Sequence, residues 1–267
     1  MPGDVVDGQD LAGVDLSTSD LSGVQAFDLQ ACPDALPDGW QCVDLPDTGL
    51  TLVGPGSNLG DMNLQDADLA DVSLVGADLT ATELDNAMLD GANLTDAMLT
   101  DANLSEVTAD STDFSGADLS GADLSQADLS NAIFTDANLT GADLSGADLS
   151  GVDLSTATLI DVRARRLDAC PDALPDGWIC ANDTLIGPGA DVHRADLSGL
   201  DLSGMDLSGV DFQDADLQDT LFVGTDLTGA DMDGARINGG TDFTDAIFDD
   251  TTCPNGDNSN DQGGVCP

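Results

Sequence analysis

The chain contains no lysine and no tyrosine, only five arginines and one histidine, and aromatic residues make up 3% of its 267 residues. So few aromatic side chains cannot dominate an ordinary globular core. Yet 41% of the residues are apolar, which is more than a disordered chain usually carries. No run of about 18 apolar residues occurs, so we expect no membrane-spanning helix. A composition of this kind calls for a search for a short internal repeat.

Catalytic patterns are also lacking. Ser and Asp occur throughout, so no Ser/His/Asp set can be argued around the only histidine, His193. No pair of carboxylates stands out as having divergent environments, which acid–base catalysis requires. We therefore expect a protein that is not an enzyme and has no catalytic residues. The start, Met1 to Asp4, lacks the basic and apolar regions of a signal peptide, so a leader has been removed or the protein is not secreted by that route.

A large apolar residue recurs every five positions, and a small residue stands two positions before it. This period suits neither a helix nor a flat strand; it suits a chain that turns a corner every five residues and points two of them inward. A short first block, a long second block with one gap at Ala109, and a third block share the pattern. Its large residues include Leu11, Leu16, Leu21; Leu59 to Leu104; Phe114 to Leu159; and Leu197 to Leu227.

Units such as Ala117-Asp118-Leu119-Ser120-Gly121 match the motif A-[DN]-L-x-x, and the chain resembles the pentapeptide-repeat family. The resemblance covers most of the chain outside two insertions and the tail. It implies an all-β, right-handed quadrilateral β-helix with four pentapeptides per coil. We expect one domain over residues 1–267, with nine or ten coils and a length of roughly 45 Å at the β-strand spacing. Residues 20 apart then stack, so an internal ladder should contain Leu94, Phe114, Phe134 and Leu154.

Two near-copies of one sequence interrupt the repeat, at about residues 27–57 and 165–190, and Pro-Asp-Gly clusters mark them as projecting loops. The six cysteines form three local pairs. Their even count and matched spacing favour disulfides, although free thiols and zinc are alternatives; zinc needs four ligands, and each pair offers two. Disulfides indicate an oxidising compartment. The pairs are Cys32/Cys42, Cys170/Cys180 and Cys253/Cys266.

Each insertion carries one tryptophan, Trp40 or Trp178. One interpretation is a small core in which the ring packs on Leu36 or Leu174 and on the prolines. The other is an aromatic platform for a ligand such as a sugar ring. The duplication alone does not separate them.

The repeat ends after Phe248, and a polar hairpin over residues 250–267 is predicted to cap the last coil, whose strands would otherwise recruit other chains. Within it Asp257, Ser259 and Asp261 alternate as in calcium loops, without the closing Glu of an EF-hand. They are candidate calcium ligands, and no other cofactor is indicated. At the opposite end the repeat begins without an evident cap, which predicts stacking on another chain or self-association.

Acidic side chains number 52, giving a formal charge of −47. The position before the central residue carries 20 Asp and five Asn, so the motif explains less than half of the acids. Three interpretations are open: a hydrated surface adapted to salt, weak binding of divalent cations, or mimicry of DNA, which the family resemblance suggests because some members inhibit DNA gyrase. About one charge per Å is at least as dense as in B-DNA. Direct binding of nucleic acid is excluded by this charge.

These observations predict a non-catalytic, acidic interaction or structural scaffold that is secreted or on the cell surface; a cytoplasmic inhibitor that mimics DNA is the alternative. We expect a protein partner or a second copy and no membrane insertion. Three arginines, Arg163, Arg165 and Arg166, lie together at the second insertion and are predicted to neutralise nearby Asp rows.

Overall fold

The computed structural model describes residues 5–45 and 48–266, in which the chain winds as a right-handed β-helix of four five-residue sides per coil. Each corner is a β-turn: the carbonyl of Leu64 accepts from the amide of Ala67 at 3.1 Å, and Asp66 between them has a φ of 58°. A positive φ at the third residue is typical of a type II turn. The predicted all-β quadrilateral helix is confirmed.

Parallel bridges join residues about 20 apart and hold the coils in register. Asn93 bridges Asp113, which in turn bridges Ile133. One unbroken column runs through ten rungs, and the coils of the first block precede it, so the rod exceeds the predicted length of about 45 Å at the strand spacing. The column consists of Asn63, Glu83, Asn103, Asp123, Asp143, Arg163, Asp191, Asp211, Asp231 and Thr252.

The core is a set of apolar columns inside the coils. All four members of the predicted ladder, Leu94, Phe114, Phe134 and Leu154, are fully buried. The rings of Phe114 and Phe134 stack with centroids 5.1 Å apart and an interplanar angle of 12°. Ala109, the gap in the repeat, is buried as well. The resulting stack is a chain of contacts between neighbouring coils.

Each insertion contains an antiparallel hairpin. In the first, β1 (Gln41–Leu45) pairs with β2 (Gly49–Val53); in the second, β3 (Ile179–Ala181) pairs with β4 (Thr184–Ile186). The second hairpin turns through Asn182 and Asp183, both at positive φ. Each strand of the second hairpin has three residues, whereas each strand of the first hairpin has five.

The C-terminal segment folds back on the last coil. Thr252 bridges Asn258 in antiparallel fashion, and the amide of Cys253 donates to the carbonyl of Asp257 at 2.8 Å. A short 3-10 helix, Ser259–Gln262, follows. No helix within the described part of the chain is long and apolar enough to cross a bilayer.

Candidate functional surface

The aspartates before the central residues act as hydrogen-bond acceptors for the backbone. Asp118 Oδ1 accepts from the amide of Ser120 at 3.1 Å and from its hydroxyl at 2.7 Å. Asn138 Oδ1 accepts from the amide and hydroxyl of Thr140 at the same two distances. This side-chain turn needs an acceptor oxygen, which both residue types have. The fold therefore does not require charge at this position.

A second group of aspartates occupies the corners at positive φ, where other corners have glycine, such as Gly121 and Gly141. Asp and Asn tolerate this left-handed conformation better than other side chains. Corner aspartates account for many of the acidic residues that lie outside the motif position. Glycine can replace an aspartate at such a corner. They are Asp61, Asp66, Asp71, Asp96, Asp101, Asp136, Asp161, Asp214, Asp219, Asp245 and Asp250.

Hydrogen bonds from serine and threonine favour the ionised form of the motif carboxylates. The hydroxyl of Ser120, and then its amide, lower the pKa of Asp118 despite slight burial. Because the folded-state pKa lies below the unfolded one, this contribution to stability is fully present above the unfolded pKa and is lost as pH falls through the folded-state pKa. Hydrogen bonds of the same kind lower the pKa of Asp15, Asp153, Asp196, Asp201, Asp226 and Asp242.

Two substitutions of Asp118 test separately the contributions of its acceptor oxygen and of its negative charge to stability. We expect Asp118→Asn to lower the melting temperature at neutral pH only slightly, because the amide oxygen keeps both hydrogen bonds and only the charge that strengthens them is lost. Asp118→Ala removes the acceptor oxygen and should lower the melting temperature by roughly 2–4 °C, as the loss of a helix cap does. Thermal unfolding followed by circular dichroism measures both. An Asn variant as unstable as the Ala variant would show that the charge itself is needed.

Outward residues of successive coils stand in columns, where like charges repel. Exposed apolar residues interrupt these columns: Met98, 46% exposed, lies between Asp78 and Asp118, and Leu221 lies between Asp201 and Asp242. Such residues act as neutral spacers. Among the described residues, six bridges still pair Asp with Asp: Asp123–Asp143, Asp128–Asp148, Asp191–Asp211, Asp196–Asp216, Asp206–Asp226 and Asp211–Asp231.

Arginines neutralise the columns only locally. Arg163 donates to Asp191 Oδ2 through Nε at 2.7 Å and to Asp143 through Nη1 at 3.2 Å. Arg165 and Arg166 take part in none of the ion pairs found among the described residues. Of the predicted cluster only Arg163 contacts the Asp rows directly, and Asp191 and Asp143 act on Arg165 at longer range. The sequence analysis also missed Arg194, which the second insertion brings beside this cluster.

The three predicted cysteine pairs are bonded in the structure: Cys32–Cys42, Cys170–Cys180 and Cys253–Cys266. Trp40 is buried, and Trp178 is half-buried between two parts of the core. One ring face covers a glycine, because a Cβ added at Gly54 or Gly187 would overlap the indole. The sequence analysis did not predict this contact with glycine. A ligand can stack only on the part of the indole ring that the glycine does not cover.

The candidate calcium ligands have partners within the protein. Asp257 Oδ2 accepts from the side-chain amides of Asn255 at 3.0 Å and Gln262 at 3.2 Å. Ser259 is buried, and its hydroxyl oxygen accepts from the amide of Thr251. Across residues 5–45 and 48–266, no group of three acidic, His or Cys side chains is placed to hold a metal ion. A calcium site at Asp257, Ser259 and Asp261 stays a prediction.

In residues 5–45 and 48–266, no segment covers the outer end of the first coil. A depression of about 150 Å³ there is lined almost wholly by apolar side chains, of which Val6, Leu11 and Leu16 are only half-buried. The hairpin that folds over the opposite end has no counterpart in the described residues at this one. The lining apolar residues are Val6, Leu11, Leu16, Leu21, Val24 and Leu52.

Comparison with known proteins identifies the repeat. The family profile "Pentapeptide repeats" matches in eight copies that together span residues 63–168 and 188–250. No curated protein sequence matches the chain. Among solved structures it is similar to HetL, a pentapeptide repeat protein involved in heterocyst differentiation regulation from the cyanobacterium Nostoc, with 25% identity, 96% of this chain and 90% of that one covered, and a TM-score of 0.43.

Two further structures are similar over smaller parts. A pentapeptide repeat protein of the Arabidopsis thaliana thylakoid lumen is 29% identical, with 40% of this chain and 71% of that one covered and a TM-score of 0.28. QnrB1, a plasmid-mediated fluoroquinolone resistance protein, is 14% identical, with 70% and 84% covered and a TM-score of 0.30.

Proposed function

The chain belongs to the pentapeptide-repeat family, and on this premise we propose that it is a non-catalytic acidic scaffold whose surface stays hydrated at high salt. One observation carries the proposal. Asn138 makes the same turn as Asp118, and glycine takes the same corners as aspartate, so the fold accepts neutral residues where the chain has acids. The acids therefore serve the solvent-facing surface. Net charge far from zero keeps a protein soluble.

The experiment replaces acids without disturbing the turns. A variant with Asn at five motif positions keeps every acceptor oxygen, so we expect an unchanged circular dichroism spectrum. Its solubility in concentrated NaCl should fall well below that of the wild type, with Asp118→Asn alone as the control. Equal solubility of the five-site variant and the wild type would remove salt adaptation as the purpose of the charge. The five positions are Asp113, Asp118, Asp123, Asp128 and Asp148.

Three disulfides support an extracellular or cell-surface location, because such bonds persist in oxidising compartments. Intact mass measured with and without reductant tests this on protein from its native source. Six free thiols there would favour the cytoplasm instead.

The open first coil supports self-association with a second copy through the same end. Its apolar opening includes Leu11 and Leu16, whereas the opposite end is closed by the hairpin at Thr252 and Asn258. Unpaired strand edges recruit other strands. Sedimentation at high salt, where acid repulsion is screened, should reveal a dimer that Leu16→Asp abolishes. A wild type that stays monomeric at every concentration contradicts this interface.

DNA mimicry is the second candidate function, and charge density is the observation that favours it. The formal charge of −47 lies along a rod of about ten or more rungs, near one charge per Å at the strand spacing. A supercoiling assay with DNA gyrase tests it. Absence of inhibition at micromolar protein would leave the scaffold as the better account.

A further inference from the structure

Four of the five arginines of this acidic chain gather at the second insertion. Arg163 is held by Asp143 and Asp191, and Arg194 pairs with Asp214 at 3.4 Å. Arg165 and Arg166 belong to no ion pair in the described part of the chain, as shown above. Two unpaired cations beside so many carboxylates need an explanation.

Both unpaired arginines line one cleft, which we name the arginine cleft. It encloses about 350 Å³, within the size range of small-molecule sites. A second depression of about 330 Å³ adjoins it and shares Ser145, Arg165 and Arg166. The polar residues that line the arginine cleft are Ser145, Arg165, Arg166, Asn182, Thr184, Arg194 and Asp196.

Two hydrogen-bonding atoms of the cleft are buried and unsatisfied, Arg165 Nε and Ser145 Oγ. Buried polar groups without a partner are rare in folded proteins, and each needs a reason. The hydroxyls of Ser115 and Ser120, at the equivalent place in their repeats, donate to aspartate at 2.6 and 2.7 Å. Arg165 Nη1 does have a partner, because it donates to the carbonyl of His193. The N–H of Arg165 and the O–H of Ser145 thus lack an acceptor in the protein, and both atoms lie just beneath the surface of the cleft that their residues line.

Comparison of the two insertions shows what distinguishes the second. The first hairpin is longer and buries Leu45. Counted from the first cysteine, Arg165 and Arg166 correspond to Phe27 and Asp28; counted from the Gly-Pro-Gly segment, Arg194 corresponds to Asp61. The second copy is therefore shorter and has arginine in place of an aromatic residue and two acids.

The backbone at these arginines is also unusual. Arg166 and Arg194 are corner residues with φ of 53° and 59°, in a conformation that most other corners assign to Asp, Asn or Gly. Long side chains in this region are uncommon, and such outliers cluster at functional sites. Burial, together with the nearby guanidinium groups of Arg163 and Arg166, lowers the pKa of Arg165 more than the carboxylates of Asp191 and Asp143 raise it. A bound negative charge would relieve both effects.

We infer that the arginine cleft binds a compact tetrahedral oxyanion, phosphate or sulfate. Guanidinium groups present planar N–H donors that match such oxygens, and they do so better than ammonium groups. Arg166 supplies donors directly, and Arg165 Nε and the Ser145 hydroxyl supply them after a small side-chain shift. The side-chain amide of Asn182 donates to the carbonyl of Asp196 at 3.3 Å and keeps a second N–H for the ligand. Asp196 also lies on the rim, but its carboxylate accepts from the amide and hydroxyl of Ser198 at 3.1 and 2.7 Å. This inference does not depend on the proposed scaffold function.

Calorimetric titration of the full chain with inorganic phosphate tests the inference, at about 0.15 M salt so that repulsion from distant acids is screened beyond about 8 Å. Saturable binding of one phosphate is expected, with sulfate as a second probe. Arg166→Asp should weaken it at least about tenfold, because a charged hydrogen bond is lost and a repulsive charge is gained. That variant should fold, since Asp28 holds the same corner at the same φ of 53° in the first insertion.

Arg236→Gln is the matched control, because Arg236 is exposed, pairs with Asp216 at 3.3 Å and lies outside the cleft. Its phosphate affinity should equal that of the wild type. Glucose 6-phosphate distinguishes a free oxyanion from a phosphate ester as the ligand. If glucose 6-phosphate binds more tightly than phosphate, the adjoining depression holds the organic part of the ligand. If the two bind equally, the site recognises the oxyanion alone. No saturable binding of phosphate or sulfate to the wild type, or an Arg166→Asp variant that binds as well as wild type, overturns the inference.

Discussion

Phe134→Ala is expected to lower the free energy of unfolding by about 3–5 kcal/mol, the usual cost of removing a buried aromatic ring. Phe134 is fully buried and stacks on Phe114, so its loss leaves a void between coils that are held rigidly in register. Denaturant unfolding followed by circular dichroism measures the change.

The neighbouring residue provides the matched control. Ile133 is 46% exposed and precedes Phe134 in the chain, so Ile133→Ala removes an apolar side chain from the outside of the same rung. We expect a change of less than about 1 kcal/mol, as at other surface positions. Equal effects of the two substitutions would contradict the assignment of inside and outside.

The melting temperature of the wild type should rise by roughly 10 °C between low salt and about 1 M NaCl. Six bridges place Asp beside Asp on successive coils, about 5 Å apart, and each pair is repelled by nearly 1 kcal/mol in water. Several kcal/mol of repulsion, at about 2–4 °C per kcal/mol for a chain of this size, gives that shift. A melting temperature independent of salt would mean that the acid columns are not under appreciable repulsion.

A spacer residue gives the sharper form of the same experiment. Met98→Asp places three carboxylates on successive rungs with Asp78 and Asp118, so its melting temperature should be lowered most at low salt and recover with NaCl. Met98→Asn is the control and should be nearly neutral. CaCl₂ at matched ionic strength should exceed NaCl in effect only if specific cation sites exist, which also tests Asp257, Ser259 and Asp261.

The columns of this fold could be predicted from sequence because the information is local. Each five-residue unit carries its own inward residue, and stacking at a separation of 20 follows once four sides close a coil, as for Phe114 and Phe134. The disulfides were equally accessible, since their partners lie only 10 or 13 residues apart.

Features that depend on neighbouring coils could not be predicted in the same way. Met98 looks misplaced in the sequence, and only its bridges show that it separates two acids. The arginine cleft depends on the length of a hairpin and brings Arg165 beside Arg194 across the second insertion. A signal for it was present, since aligning the two insertions shows arginine opposite Phe27, Asp28 and Asp61. A search for the five-residue period does not compare the two insertions with each other.

The exchangeability of Asp with Asn at the motif turns, and with Gly at the corners, has an evolutionary consequence. Substitutions between these residues can accumulate one at a time, because each intermediate keeps the turn that holds its coil. Descendants of one ancestral rod can therefore drift from neutral to strongly anionic along a path on which every step folds. Selection by the surrounding medium could then act on the exterior while the interior stays the same.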